Sequence, residues 1–189
     1  MIDNSKADVL IHACLALEAG SVDAAKKIIE RDFPFSRYVK DERTFTPVEQ
    51  IKIFMRDGFV DRFTGKRVFL PPVLAVLSKE MPETFPWSSS GDRAKTHQAH
   101  EMLSAAVKKV IPSGSSKDTA NLVTVSALNK LSRGNATLAD LGQPLLTLDD
   151  IASARWDGMT GWFVNYVHEH KALLNDNNIA RWYKAIQNF

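Results

Sequence analysis

Cysteine is almost absent from this chain: Cys14 is the only one in 189 residues. An internal disulfide is thereby excluded, and so is a structural zinc site built on several thiolates. Long apolar runs are missing too. None approaches the ~20 residues needed to cross a membrane. The first residues, M-I-D-N-S-K-A-D, have neither the basic start nor the apolar run of a signal peptide. A cytoplasmic protein without membrane contact is the expectation. No sign of charge dominates, since 24 Lys+Arg face 22 Asp+Glu. That near balance excludes a protein that coats nucleic acid through bulk charge. Internal repeats and low-complexity segments are also lacking. What is present, 44% hydrophobic and 24% charged residues, is the composition of a globular chain able to bury a core.

Helix signals open the chain. Ser5 and Asp8 are caps ahead of V-L-I-H-A-C-L-A-L-E-A-G, with Gly20 as the stop. Ser21 starts a second helix whose Ala24, Ala25, Ile28 and Ile29 share a face, and Pro34 ends it. His12, inside the first apolar run, reads as structural. Thr46-Pro47-Val48-Glu49 has the form of a capping box for a helix that stops near Gly58. Two β-rich pieces flank Thr64-Gly65-Lys66 and predict a hairpin over residues 59–70. A helix follows Pro71-Pro72, and Phe85 to Asp92 is a loop.

Further on, the order is strand (108–112), turn-rich loop (113–119), strand (122–125) and helix (127–134). The last third is helical and aromatic. Trp162, Phe163, Tyr166 and Val167 form one stripe, and Ile179, Trp182, Tyr183 and Ile186 another; both predict core packing. His168 and His170 read as surface residues. The fold expectation is α+β: a small ββα hairpin-helix core, residues 57–142, wrapped by helical regions 1–56 and 143–189 in a single domain.

The segment I-P-S-G-S-S-K-D-T-A-N-L-V-T-V-S, residues 111–126, followed by S-R-G-N ending at Asn135, resembles the HNH endonuclease family of ββα-metal nucleases. The resemblance extends to D-G-F-V-D-R-F-T-G (57–65), Thr96-His97, T-L-A-D-L-G (137–142) and W-D-G-M-T-G-W-F (156–163), and so spans nearly the whole chain. It implies the ββα core, a divalent Mg or Mn ion and phosphodiester hydrolysis. It also implies roles. An Asp-His pair on the first strand holds the metal and acts as general base, a middle Asn ties the loop, and a helix Asn or His completes the metal site. Relatives often carry a zinc knuckle where this chain has D-R-F-T-G-K-R, so here packing must hold that turn.

This chain departs from the pattern. The Asp and His positions carry Lys108 and Lys109. Asn121 is retained. The helix ligand position falls on Lys130, with Asn129 one residue earlier. A charged lysine has three donors and no lone pair, so it neither ligates a divalent cation nor takes a proton from water. Lys109, Asn121 and Asn129 are thus the catalytic motif positions, with hydrolysis expected to be impaired and no metal expected. The leading expectation is a divergent HNH-like protein that binds nucleic acid, DNA ahead of RNA, through Lys108, Lys109, Lys130 and Arg133. Two alternatives stay open. One is an active metal-dependent nuclease with relocated ligands His97 and His100, whose i, i+3 spacing shares a helix face with Glu101. The other is a non-catalytic scaffold with an exposed aromatic patch on its C-terminal helices, working as a homodimer or with a protein partner.

Overall fold

The structure is a computed structural model and describes residues 5–35, 44–88, 90–112, 114–115, 117–134, 136–142 and 144–189. Asn135, which closes S-R-G-N, and Ser89, Ser113 and Ser116 of the two serine-rich loops lie outside the described residues. The chain divides into two units, Met1–Lys40 and Asp41–Phe189. Among the described residues no helix is long and apolar enough to cross a membrane.

The first unit is a helical hairpin of α1 (Ser5–Glu18) and α2 (Val22–Asp32). Gly20 makes the turn at φ +79°, a conformation that costs glycine little. Ser21 caps α2, its hydroxyl accepting the Ala24 N–H at 3.3 Å. Ala13 and Ala25 are the buried contacts between the helices.

The second unit is α+β. Helix α3 (Pro47–Arg56) starts in the capping box that its sequence predicts. Glu49 N donates to the Thr46 hydroxyl and Thr46 N to the Glu49 carboxylate. Then come α4 (Pro71–Glu80), the short α5 (Ala99–Met102), strands β1 (Ala105–Lys109) and β2 (Leu122–Ser126), α6 (Ala127–Ser132), α7 (Leu138–Leu141), α8 (Thr160–Glu169) and α9 (Asn177–Ile186). The sequence grouping placed α3 with the N-terminal region. In the structure it packs on both strands and on α9, inside the second unit.

The strands pair antiparallel, from Ala105 opposite Ser126 to Lys109 opposite Leu122. Alternation gives the pair two faces. Ala105, Val107 and Leu122 join the helical core, where Phe54 lies fully buried between Phe59 and Trp182. Phe163 and Val167 of α8 and Ile179 of α9 complete that core. Ala106, Val123 and Val125 face the other way, onto Phe63, Leu138 and Leu145.

Two elements differ from expectation. The first strand runs 105–109, not 108–112. It starts where Ala105 and Val107 can be buried, and it ends before Asn121 takes over the backbone of Ile111. Residues 59–70 form no two-stranded hairpin. A single antiparallel bridge, Val60 to Arg67, closes a tight turn, with Asp61 N bonded to Lys66 O and Gly65 N to Asp61 O. Val68 N bonds across the turn to Phe59 O, while Arg62 N turns to Thr124 O and Phe69 N to Leu103 O.

That diversion completes the outer edge of β2. Arg56 donates to Leu122 O and Thr119 O. Asp57 accepts Thr124 N at 2.7 Å, and Asp61 accepts Ser126 N at 2.7 Å. Both carboxylates are fully buried. Asp57 is neutralised by Arg56 at 2.8 Å and Arg62 at 3.1 Å. Its loss leaves two cations and one strand N–H unpaired. Asp57→Ala should therefore destabilise the chain by about 3–5 kcal/mol, read from the shift in urea midpoint.

Candidate functional site

Strand β1, its return β2 and α6 form a contiguous β-β-α unit. Ser126 ends β2 and caps α6, accepting Asn129 N at 3.2 Å. Helix α6 packs across both strands. The intervening loop is tied by Asn121, buried to 7% exposure. Its Oδ1 accepts Ile111 N at 2.7 Å, and its Nδ2 donates to Ile111 O at 3.1 Å and Ser115 O at 3.4 Å. Gly114 lies against this amide, where a Cβ would collide with it.

Lys108 and Lys109 do not converge. Alternation sets Lys108, opposite Val123, on the α6 face, and Lys109, opposite Leu122, on the other face. Lys108 Nζ donates to Gly134 O at 2.7 Å and to Lys130 O at 3.4 Å. Its ammonium thus satisfies carbonyls at the C-terminal end of α6, where the helix dipole favours a cation. Arg133 lies with its guanidinium carbon 3.7 Å from the Phe63 ring centroid, a cation–π contact. Burial pushes the Arg133 guanidinium below its ordinary value, and the Asp61 carboxylate opposes that shift. Lys130 is exposed on α6. Of the four cations expected at the site, Lys108 rests on the end of α6 beside the Lys130 and Gly134 carbonyls, and strand alternation turns Lys109 to the other face.

Asn129 donates its side-chain amide to Asp61 Oδ2 at 2.6 Å. The same oxygen accepts Ser126 N, so one buried carboxylate joins β2 and α6. In the sequence Asp57 and Asp61 are visible only as part of the D-G-F-V-D-R-F-T-G motif, without a role of their own. Their signal was two carboxylates four residues apart in a turn ahead of apolar pieces.

The donors present do not suit a divalent ion. The first-strand position offers an ammonium, and the two nearby carboxylates are spent on backbone N–H groups, guanidinium and amide. Among the described residues, no group of three or more His, Cys, Asp or Glu is placed to hold a metal. The alternative pair fares no better. Helix α5 begins only at Ala99, so His97 lies in the turn before it, its carbonyl accepting His100 N at 3.0 Å. Glu101 is bonded to Arg93. His97 instead stacks on Phe85, with centroids 4.3 Å apart, and accepts Ala99 N through Nδ1. His100 packs on Phe85 and Trp87. Ser78 Oγ donates to Leu74 O at 3.1 Å and so accepts from His100 Nε2 at 2.9 Å. On the C-terminal side, Trp162, Tyr166 and His170 stack in series along α8, with centroids 4.9 and 4.1 Å apart.

Comparison of the chain with protein-family models, with curated proteins and with solved structures found no match.

Two outcomes follow. Lys108→Met removes the charge that caps α6 and should lower stability by about 1–2 kcal/mol in denaturant melts. Burial, and to a smaller degree neighbouring His97, lowers the His100 pKa. The folded chain therefore takes up this proton less readily than the unfolded one. The contribution to stability is full above about pH 6.5 and is lost as pH falls below it. An imidazole NMR titration should show His100 titrating below the ordinary histidine range.

Proposed function

We propose that this chain is a divergent HNH-like protein that binds nucleic-acid phosphates without hydrolysing them. The observation that carries this reading is Lys108. Its ammonium lies between β1 and the end of α6, the place where the ββα resemblance puts a metal-binding acid. A fixed cation there removes the means of activating water, while leaving positive charge at the mouth of the unit. The Asn121 tie supports the same reading, since it holds the loop between the strands in the manner the resemblance implies. Lys109 and Lys130, on either side of β1 and α6, add the charge that a phosphate backbone meets.

A second reading, a protein-interaction scaffold, is favoured by the Trp162–Tyr166–His170 stack along α8. Salt separates the two. Phosphate binding weakens linearly in log–log form with salt, and the slope falls by about one for each lysine lost.

The deciding experiment joins cleavage to binding. Supercoiled plasmid is incubated with the chain and Mg²⁺, Mn²⁺, Ni²⁺ or Zn²⁺ in turn, against an EDTA control, and DNA and RNA oligonucleotides are titrated at several salt concentrations. The expected result is no metal-dependent nicking, and binding whose salt slope shrinks in Lys109→Glu and Lys130→Glu. Metal-dependent nicking abolished by His97→Ala or His100→Ala would establish the relocated nuclease instead. Absence of affinity at low salt would leave the scaffold reading in possession.

A further inference from the structure

The α1–α2 hairpin carries apolar surface that its own packing does not use. Val9, Leu10, Ile11, Ala13, Cys14, Leu15, Ala16 and Leu17 run around the whole circumference of α1. Such a helix is stable only when covered on more than one side. Helix α2 covers one. Leu10, Ile11, Leu15, Leu17 and Val22 remain about half exposed, and Ala13 and Ala25 alone are buried among the hairpin's described residues. A unit this small rarely holds together without oligomerisation or another staple. Between the helices a groove of about 580 Å³ has walls that are apolar apart from Lys26 and Glu30.

Charge decides what fits there. Residues 5–35 contain four Lys or Arg and five Asp or Glu. That balance lacks the basic face that would draw the hairpin to anionic lipid or to a phosphate backbone. The groove's two charges are opposite in sign and one helical turn apart on α2. A two-fold axis crossing α2 at Ile28 sets Lys26 of each copy against Glu30 of the other, and lays Ala25 and Ile29 along the same seam. The surface is self-complementary, as an isologous contact requires.

We propose that this hairpin is a self-association surface, through which two copies of the chain pair α2 antiparallel to α2 and build a four-helix bundle. The inference is independent of the nucleic-acid reading.

Sedimentation equilibrium of the full chain from about 1 to 100 µM tests it. The wild-type mass should rise toward twice 21.1 kDa. Leu17→Glu should hold the chain at the monomer mass. Lys26→Glu sets like charges face to face and should weaken pairing roughly tenfold, while the swap Lys26→Glu/Glu30→Lys restores it. The exposed charge variants leave the helices intact, and circular dichroism confirms that for each. A wild-type monomer across the range, or a dimer that none of the variants moves, would overturn the proposal. A dimer broken by Leu17→Glu but untouched by Lys26→Glu would overturn the antiparallel α2 register.

Discussion

The free edge of β2 is the constraint on which the second unit depends. A two-stranded sheet is marginal alone, because its outer N–H and C=O groups have no partner. Here a segment six residues apart at its ends, Arg56 to Arg62, supplies four of the partners that the edge needs. Arg56 takes Leu122 O, Asp57 takes Thr124 N, the Arg62 N–H takes Thr124 O, and Asp61 takes Ser126 N. Side chains thus do the work of a third strand at alternate residues. Burying two carboxylates is costly, and removing water from them is tolerable only because cations and N–H groups surround them. The turn at residues 61–66 contains neither cysteine nor histidine. It is held by its own backbone bonds and by this edge.

The same carboxylates extend the constraint to the candidate site. Asp61 bonds both Ser126 N and the Asn129 amide, so the start of α6 cannot move relative to β2. Lys108 then closes the other end of α6 onto β1. A helix of six residues has little stability of its own, and here both its termini are pinned by side chains. The Lys108 ammonium brings positive charge to this place and spends it on the carbonyls of the helix end.

Local signals were legible in the sequence, and distant ones were not. The Thr46–Glu49 capping box, the Ser21 cap, the Gly20 stop and the apolar stripe of α9 follow from neighbours at most four residues apart, and the structure has each of them. The α+β character and the strand–loop–strand–helix order were readable for the same reason. The partners of Asp57 and Asp61 lie more than sixty residues away, and nothing local marks which strand they serve. The hairpin expected over 59–70 is present only as a single antiparallel bridge with bonds from Asp61 N to Lys66 O and Val68 N to Phe59 O, and it extends no further because Arg62 N and Phe69 N find partners outside it. Lys108 and Lys109 are adjacent in sequence, which suggested a cluster. The pleat, with its period of two, sends them to opposite faces. His97 and His100 do meet, both rings packing on Phe85, but through the turn that leads into α5 and with Glu101 drawn to Arg93.

Two Asp-Gly turns explain why the segment at 57–62 keeps its place. Phe59 has φ +51° and Met159 φ +62°, conformations that cost a side-chain-bearing residue of order 1 kcal/mol each and persist only when surroundings enforce them. The enforcement is mutual. The Trp156 indole donates to Phe59 O at 3.0 Å, Trp156 N reaches Gly58 O at 3.2 Å, and Gly158 packs so closely on the Phe59 ring that a Cβ would collide with it. Asp57 and Asp61 are therefore aimed at β2 by a loop almost a hundred residues further along the chain, and that loop leads straight into α8. The C-terminal helices are not a separate wrapping on the β-β-α unit. The loop that leads into them fixes the strained turn, the turn fixes the two carboxylates, and the carboxylates fix the sheet edge and the helix against which Lys108 rests.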